Sequence, residues 1–319
     1  SKVGSMMAVV ESGLVWHNGK IIDWKETKVH ISTWSLHYSV AMFEGIRCYE
    51  GLWKGKSNAL IFRLGEHVER FLNSAKIYEM PLEYSAEQIE KAIVEIAKKN
   101  ELKNGYIRPL LYFGKWKSPA PTKRQLSTDL TIFTSKMNGA NLESWKEGGG
   151  IRCMFSSWRK PQPDSLPADA KCSANYATSY LAALDAESAG YDYALLLDHR
   201  GFVSEGLASN LFAVFNGKLL TPPTSASILK GITRDSIMEL AKGLGIRAEE
   251  QDIMPSELLR ADEVFVTGTA SGVMPVIEID KVKVGEGREG EITGKLRQAY
   301  GEVVVGKNEK YRQWLTPIY

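Results

Sequence analysis

Lys171 stands in the run PADAKCSANYATSY, residues 167–180, with its nearest acid two residues back and no other charge before Asp185. Burying a lysine lowers its pKa, which is one way to obtain a nucleophilic amine near neutral pH. A solvated surface lysine has the same spacing, so the run alone does not choose. Three further stretches bear on the choice. In LKGITRDS, residues 229–236, Gly231 lets the backbone approach closely, and Ile232 and Thr233 open a helix whose first N–H groups lack internal partners. Such an end suits a phosphate, although threonine there also reads as a plain N-cap. VTGTASG, residues 266–272, follows a buried-looking strand with small residues that can present consecutive N–H groups, a second anion cradle or an ordinary turn. VSEGLASNLF, residues 203–212, places Glu205 just past an apolar segment, where an acid needs a proton or cation to hold unless it is a solvated turn residue.

A fourth stretch, YIRP, sets Tyr106 and Arg108 at i and i+2, on one face of a strand. The guanidinium fork matches a carboxylate in shape, and a surface pair is the alternative. Taken together, an amine, two anion cradles, a carboxylate near a strand end and a Tyr/Arg pair suit a pyridoxal phosphate enzyme. Its lysine bonds the cofactor aldehyde, and its acid keeps the pyridine nitrogen protonated.

Elements must position these residues, and composition bounds what they build. The chain has 319 residues, 44% hydrophobic and 24% charged, the balance of a soluble globular protein with about two domains. A formal net charge of +2 with five scattered histidines gives no electrostatic grip on nucleic acid or an anionic membrane. Cys48, Cys153 and Cys172 are far apart, with no metal-ligand spacing, and predict a reducing, cytoplasmic setting with no metal. No apolar run reaches the roughly eighteen residues of a membrane helix, and the N-terminus lacks a signal-peptide pattern.

Along the chain, Asn18-Gly19 in GLVWHNGKIID predicts a two-residue hairpin. Leu64, Val68, Phe71, Ala75 and Tyr78 form one stripe of an amphipathic helix, and a second helix is predicted over 86–99. YIRPLLYFG and DLTIFTS read as strands. Residues 136–150 are polar and end in three glycines, as a connection would. Beyond them IRCMFSS, YDYALLLD, GFVSEG, SNLFAVFNGKLL and DEVFVTGTA read as strands, interleaved with helices near 173–189 and 234–243, and Asn216-Gly217 marks another hairpin. The expected organisation is α+β: a small N-terminal domain over 1–136, a connection over 137–150, and a large C-terminal domain over 151–319 that carries Lys171.

The motifs LHYSVAMFEGIRCY, FRLGEHVERFLNSAKIY, YIRPL, SSWRKPQPDSLPADAKCSANY, FVSEGLASNLF, GITRDS and DEVFVTGTA, in that order, resemble the branched-chain amino acid aminotransferases of fold-type IV. The likeness runs from about Trp16 to beyond Gly285. It implies two α+β domains with pyridoxal 5'-phosphate in the cleft between them, and ping-pong transfer of the amino group of leucine, isoleucine or valine to 2-oxoglutarate. By the same resemblance Lys171 is the Schiff-base lysine and proton shuttle, Glu205 holds the pyridine nitrogen, Tyr176 lies near the phenolic oxygen and Leu229 packs on the ring. Arg70, Ile232, Thr233 and Thr269 are the implied phosphate contacts, with Asn210 and Gly231 also at the cofactor. Tyr106, Thr269 and Ala270 are implied for the α-carboxylate. Arg108 and Tyr38 are implied for the distal carboxylate of glutamate, Tyr38 reaching in from a neighbouring subunit of a homodimer or larger assembly. Phe43 and Gly45 would line the side-chain pocket.

Two stretches depart from the family pattern. KMNGA, residues 136–140, stands where many bacterial members have Pro-Trp-Gly-Ala-Tyr, and GKWKSPAPTK, residues 114–123, lacks the usual glycine-rich loop, with Trp116 available to refill the space. These bear on substrate range and keep two rivals on the same fold in view, an (R)-amine transaminase and a D-amino acid aminotransferase. An aminodeoxychorismate lyase shares the cofactor motifs as well.

Overall fold

Asn18 and Gly19 take φ of 46° and 83°, the left-handed pair that a tight hairpin turn requires, and join β1 (Leu14–His17) to β2 (Lys20–Asp23) in the expected register. The computed structural model describes residues 13–116, 126–137 and 149–319. They fall into two units.

The first unit holds residues up to 137, together with Ala170–Ala174 and Val304–Tyr319. After β2 come α1 (Trp34–Tyr38), β3 (Ala41–Phe43), β4 (Ile46–Trp53), β5 (Lys56–Phe62), α2 (Leu64–Ile77), α3 (Ala86–Lys99), β6 (Gly105–Phe113) and β7 (Thr128–Lys136). The C-terminal strand Leu315–Pro317 leads the sheet, followed by β5, β4, β6, β7, β1 and β2, with β3 also on β6; every pairing is antiparallel. The helical stripe forms as its period predicts: Leu64, Val68, Phe71 and Ala75 are buried on α2, while Tyr78 is the residue that caps it. Ser85 and Gln88 close a reciprocal capping box on α3, whose buried Ile89, Ile93 and Ile96 join the same core.

The second unit holds residues 149–169 and Asn175–Val303. Its strands are β8 (Ile151–Arg159), β9 (Tyr193–Leu197), β10 (Val203–Gly206), β11 (Asn210–Phe215), β12 (Lys218–Thr221), β13 (Ala248–Glu250), β14 (Glu263–Gly268), β15 (Gly272–Ile279) and β16 (Val282–Lys283). Its helices are α4 (Tyr176–Ser188), α5 (Ile232–Gly243), α6 (Pro255–Leu258) and α7 (Glu291–Val304). Since β10 pairs with both β9 and β11, six strands in the order β10, β9, β8, β15, β14, β11 close on themselves, and β12 and β13 extend the sheet from β11. The β8–β9, β8–β15 and β12–β13 pairs are parallel and the rest antiparallel, so the fold is α+β.

Two segments group against their position in the sequence. Lys171 lies with the first unit, because Cys172 bridges to Met42 in β3. Residues 304–319 lie there too, because Leu315–Pro317 pair with β5. Most of the expected connection, residues 138–148, lies outside the described residues.

Candidate active site

In the first unit the backbone pins Lys171 from two elements. Its carbonyl accepts from the Phe43 N–H at 3.1 Å, and its N–H donates to Ser74 Oγ of α2 at 3.0 Å. Next to it the Ser173 hydroxyl donates to the Ala41 carbonyl at 3.2 Å. The Lys171 Nζ sits 5.2 Å from the centre of the Phe43 ring. Burial first, then the cations Arg70 and Arg108, pull this amine down to about 8, against the opposing pull of Glu44 and Tyr106. Part of the population is therefore a neutral nucleophile at neutral pH.

Arg108 and Tyr106 share a face of β6, as their spacing predicts. The Arg108 Nη2 donates to the Tyr106 hydroxyl at 3.1 Å, and its guanidinium carbon stands 4.6 Å from the centre of the Phe43 ring. Arg108 Nε is buried without a hydrogen-bond partner among the described residues. Gly45 is required opposite the tyrosine, since a Cβ there would lie 1.7 Å from its hydroxyl oxygen. Tyr38 stands half exposed at the end of α1 against the rings of Trp34 and Trp116. Trp116 stacks on His37 at 5.2 Å. Of the two departing stretches, residues 117–123 and 138–140 lie outside the described residues.

Arg70 brings a group that the sequence reading missed. Its Nε and Nη2 donate to the two oxygens of Glu44 at 2.6 and 2.8 Å, and His67 Nδ1 lies 2.8 Å from the same carboxylate. Burial alone would raise the Glu44 carboxyl, yet Arg70 and His67 hold it well below the usual carboxylate range. Burial lowers His67, with Glu44 opposing, so the ring is neutral and donates from Nδ1. The available signal was His67 and Arg70 at i and i+3, one face of α2, with an acid preceding Gly45.

The second unit carries the other residues singled out. Glu205, buried on β10, accepts from Lys160 Nζ at 2.6 Å, from Asn210 Nδ2 at 3.0 Å and from the Leu229 N–H at 3.2 Å. Lys160 was missed as well. Asn210 Nδ2 also donates to the Leu229 carbonyl at 2.9 Å. Gly231 caps α5 with no side-chain cap, and a Cβ there would lie 1.9 Å from Asn210 Oδ1. Ile232 and Thr233, both buried, form the first turn of α5. Thr269 and Ala270 follow β14, and Tyr176 opens α4.

The sequence model of the family Amino-transferase class IV matches residues 41–279, which sets the class. The branched-chain-amino-acid aminotransferase of Escherichia coli (strain K12) is 38% identical over 312 residues, covering 98% of this chain and 99% of that one. The solved branched-chain amino acid aminotransferase of Thermobaculum terrenum, in its PLP-bound holo form, superimposes with a TM-score of 0.90 at 35% identity, covering 97% of this chain and 99% of that one. The enzyme of the archaeon Thermoproteus uzoniensis with norvaline gives a TM-score of 0.88 at 40% identity, covering 96% and 99%. The chain belongs to the class IV amino-transferases and, within them, to the branched-chain-amino-acid aminotransferase family. Neither rival activity is favoured by these relatives.

Proposed function

We propose that the chain transfers the amino group of L-leucine, L-isoleucine or L-valine to 2-oxoglutarate by a ping-pong route, using pyridoxal 5'-phosphate. The observation that carries this reading is Lys171, an amine lowered to about 8 and set beside the Tyr106–Arg108 pair whose Nε awaits an acceptor. The cofactor fits the remaining residues. The close approach of Gly231 to Asn210 leaves no room for a side chain at the uncapped start of α5, as a phosphate cradle needs.

When bound, the cofactor supplies a carbonyl carbon for amines and a protonated ring that accepts electrons from the substrate Cα. Lys171 Nζ would carry the proton between the substrate Cα and the cofactor's C4′ carbon, acting first as base and then as acid. Glu205, hydrogen-bonded by Lys160 and Asn210, would hold the proton on the ring nitrogen, and Leu229 and Tyr176 would orient the ring. Arg70, Ile232, Thr233 and Thr269 bind phosphate, while Tyr106, Thr269 and Ala270 bind the α-carboxylate. Arg108 over Phe43 receives either an aliphatic chain or the second carboxylate of glutamate, because an apolar ring and a cation share that place.

The same reading includes a homodimer or larger assembly, supported by exposed apolar residues at Val29, Ile31, Leu36 and Tyr38. It includes a cytoplasmic setting, supported by three buried free thiols. The test is the visible spectrum of the protein with pyridoxal 5'-phosphate, before and after L-leucine, D-alanine or (R)-1-phenylethylamine. The yellow absorbance should be lost with L-leucine alone and restored by 2-oxoglutarate. A response to D-alanine or the amine without one to L-leucine would move the activity to a rival on the same fold.

A further inference from the structure

Glu44 is fully buried and holds three donors, and the positions assigned to substrate or cofactor that it meets are Arg70 and its chain neighbours Phe43 and Gly45. Arg70 commits two of the five guanidinium N–H groups to it, His67 donates from Nδ1, and the Gly45 N–H donates at 3.1 Å. A buried acid so placed is costly unless its charge is used. The groups around Lys171 come from three elements: Phe43 and Glu44 from β3 and its end, His67, Arg70 and Ser74 from α2, and Tyr106 and Arg108 from β6. Among them Glu44 is the anion that opposes two guanidinium groups. Without it the lysine would face both cations uncompensated in a place of reduced screening, where an ammonium is least tolerated. A general base that must collect a proton needs a pKa near the working pH.

We propose that Glu44 is a positioning residue for Lys171: clasped by His67, it fixes the Arg70 guanidinium beside the lysine and cancels its charge there, so that Nζ stays basic enough to take the substrate proton. The inference rests on Lys171 being the reactive amine.

The test uses cofactor-free enzyme and pyridoxal, which lacks the phosphate, so that Arg70 variants are compared fairly. The rate of absorbance change on mixing is followed against pH, and its midpoint reports the proton on Nζ. Glu44→Gln should lower the midpoint by about one unit, Arg70→Gln should raise it, and the double variant should return close to the wild-type value. This reversal of sign is what a merely structural Glu44 would not produce. An unchanged midpoint in folded Glu44→Gln, or a double variant as low as Glu44→Gln, would overturn the proposal. Should Glu44→Gln fail to fold, Arg70→Gln and the double variant decide on the same terms, since removing both partners of a buried pair is tolerated better than removing one. Lys171→Ala serves as the control for the parent reading: capture of pyridoxal equal to the wild type there would reject Lys171 itself and leave Glu44 without a role.

Discussion

Below about pH 8 the Lys171 amine carries a proton in surroundings that disfavour the charge, so the cofactor-free protein folds against that penalty. The sign follows from linkage. Between about 8 in the folded chain and the ordinary lysine value of 10.5, the unfolded chain binds more protons, and stability rises with pH across that window. Lys171→Met removes the charge, so the cofactor-free variant should be more stable than wild type at pH 7, with its advantage shrinking as pH climbs from 8 toward 10.5. Urea unfolding of both proteins at several pH values measures this, and a gap independent of pH would reject the depressed lysine. The sequence raised the question of Lys171 through the lack of neighbouring charge, yet Glu44, His67 and Arg70 lie about a hundred residues or more earlier in the chain. Lys160 was equally out of reach, being bound to Glu205 only through the pairing of separate strands.

At the scale of elements, the start of α5 depends on one missing side chain. Gly231→Ala would drive a methyl into Asn210 Oδ1, and Asn210 ties Glu205 to the Leu229 carbonyl. The expected cost is about 1–3 kcal/mol of stability, from overpacking, together with weaker binding of pyridoxal 5'-phosphate. A thermal melt and a cofactor titration read the two effects, and a variant with wild-type values in both would show that the cradle has slack. Glycine at this place was legible because a residue without a Cβ lets the backbone approach closely just before a helix start. Other elements were silent. The last four residues of β5 are buried without alternation, so the period-two signal is absent. Helix α7 carries Gly294 and Gly301 inside its span, which weakens a helical reading.

For the whole molecule, the grouping of distant segments decides which part carries the lysine. A reading along the chain assigns Lys171 and the C-terminus to the C-terminal domain, but contacts of residues 170–174 and 304–319 are made with the first unit, and no local pattern records a pairing between segments so far apart in the chain. That pairing has a consequence. Leu315, Thr316 and Pro317 cover the edge of β5 opposite Phe62, Ile61 and Leu60, while the Trp314 carbonyl accepts from the Arg63 N–H at 2.6 Å and its ring lies 4.8 Å from the Arg63 guanidinium carbon. Deleting residues 314–319 strips these partners together and leaves β5 as an open edge of buried Leu60, Ile61 and Phe62, a template for pairing with other chains. Because β5 feeds directly into α2, which bears Arg70 and Ser74, the loss should reach the lysine group as well. The truncated protein is expected to melt at lower temperature, to associate in a concentration-dependent way on size exclusion, and to bind pyridoxal 5'-phosphate more weakly. Truncation that lowers the melting temperature while leaving cofactor affinity intact would show that the C-terminal strand serves the sheet edge alone and that α2 holds its place without it.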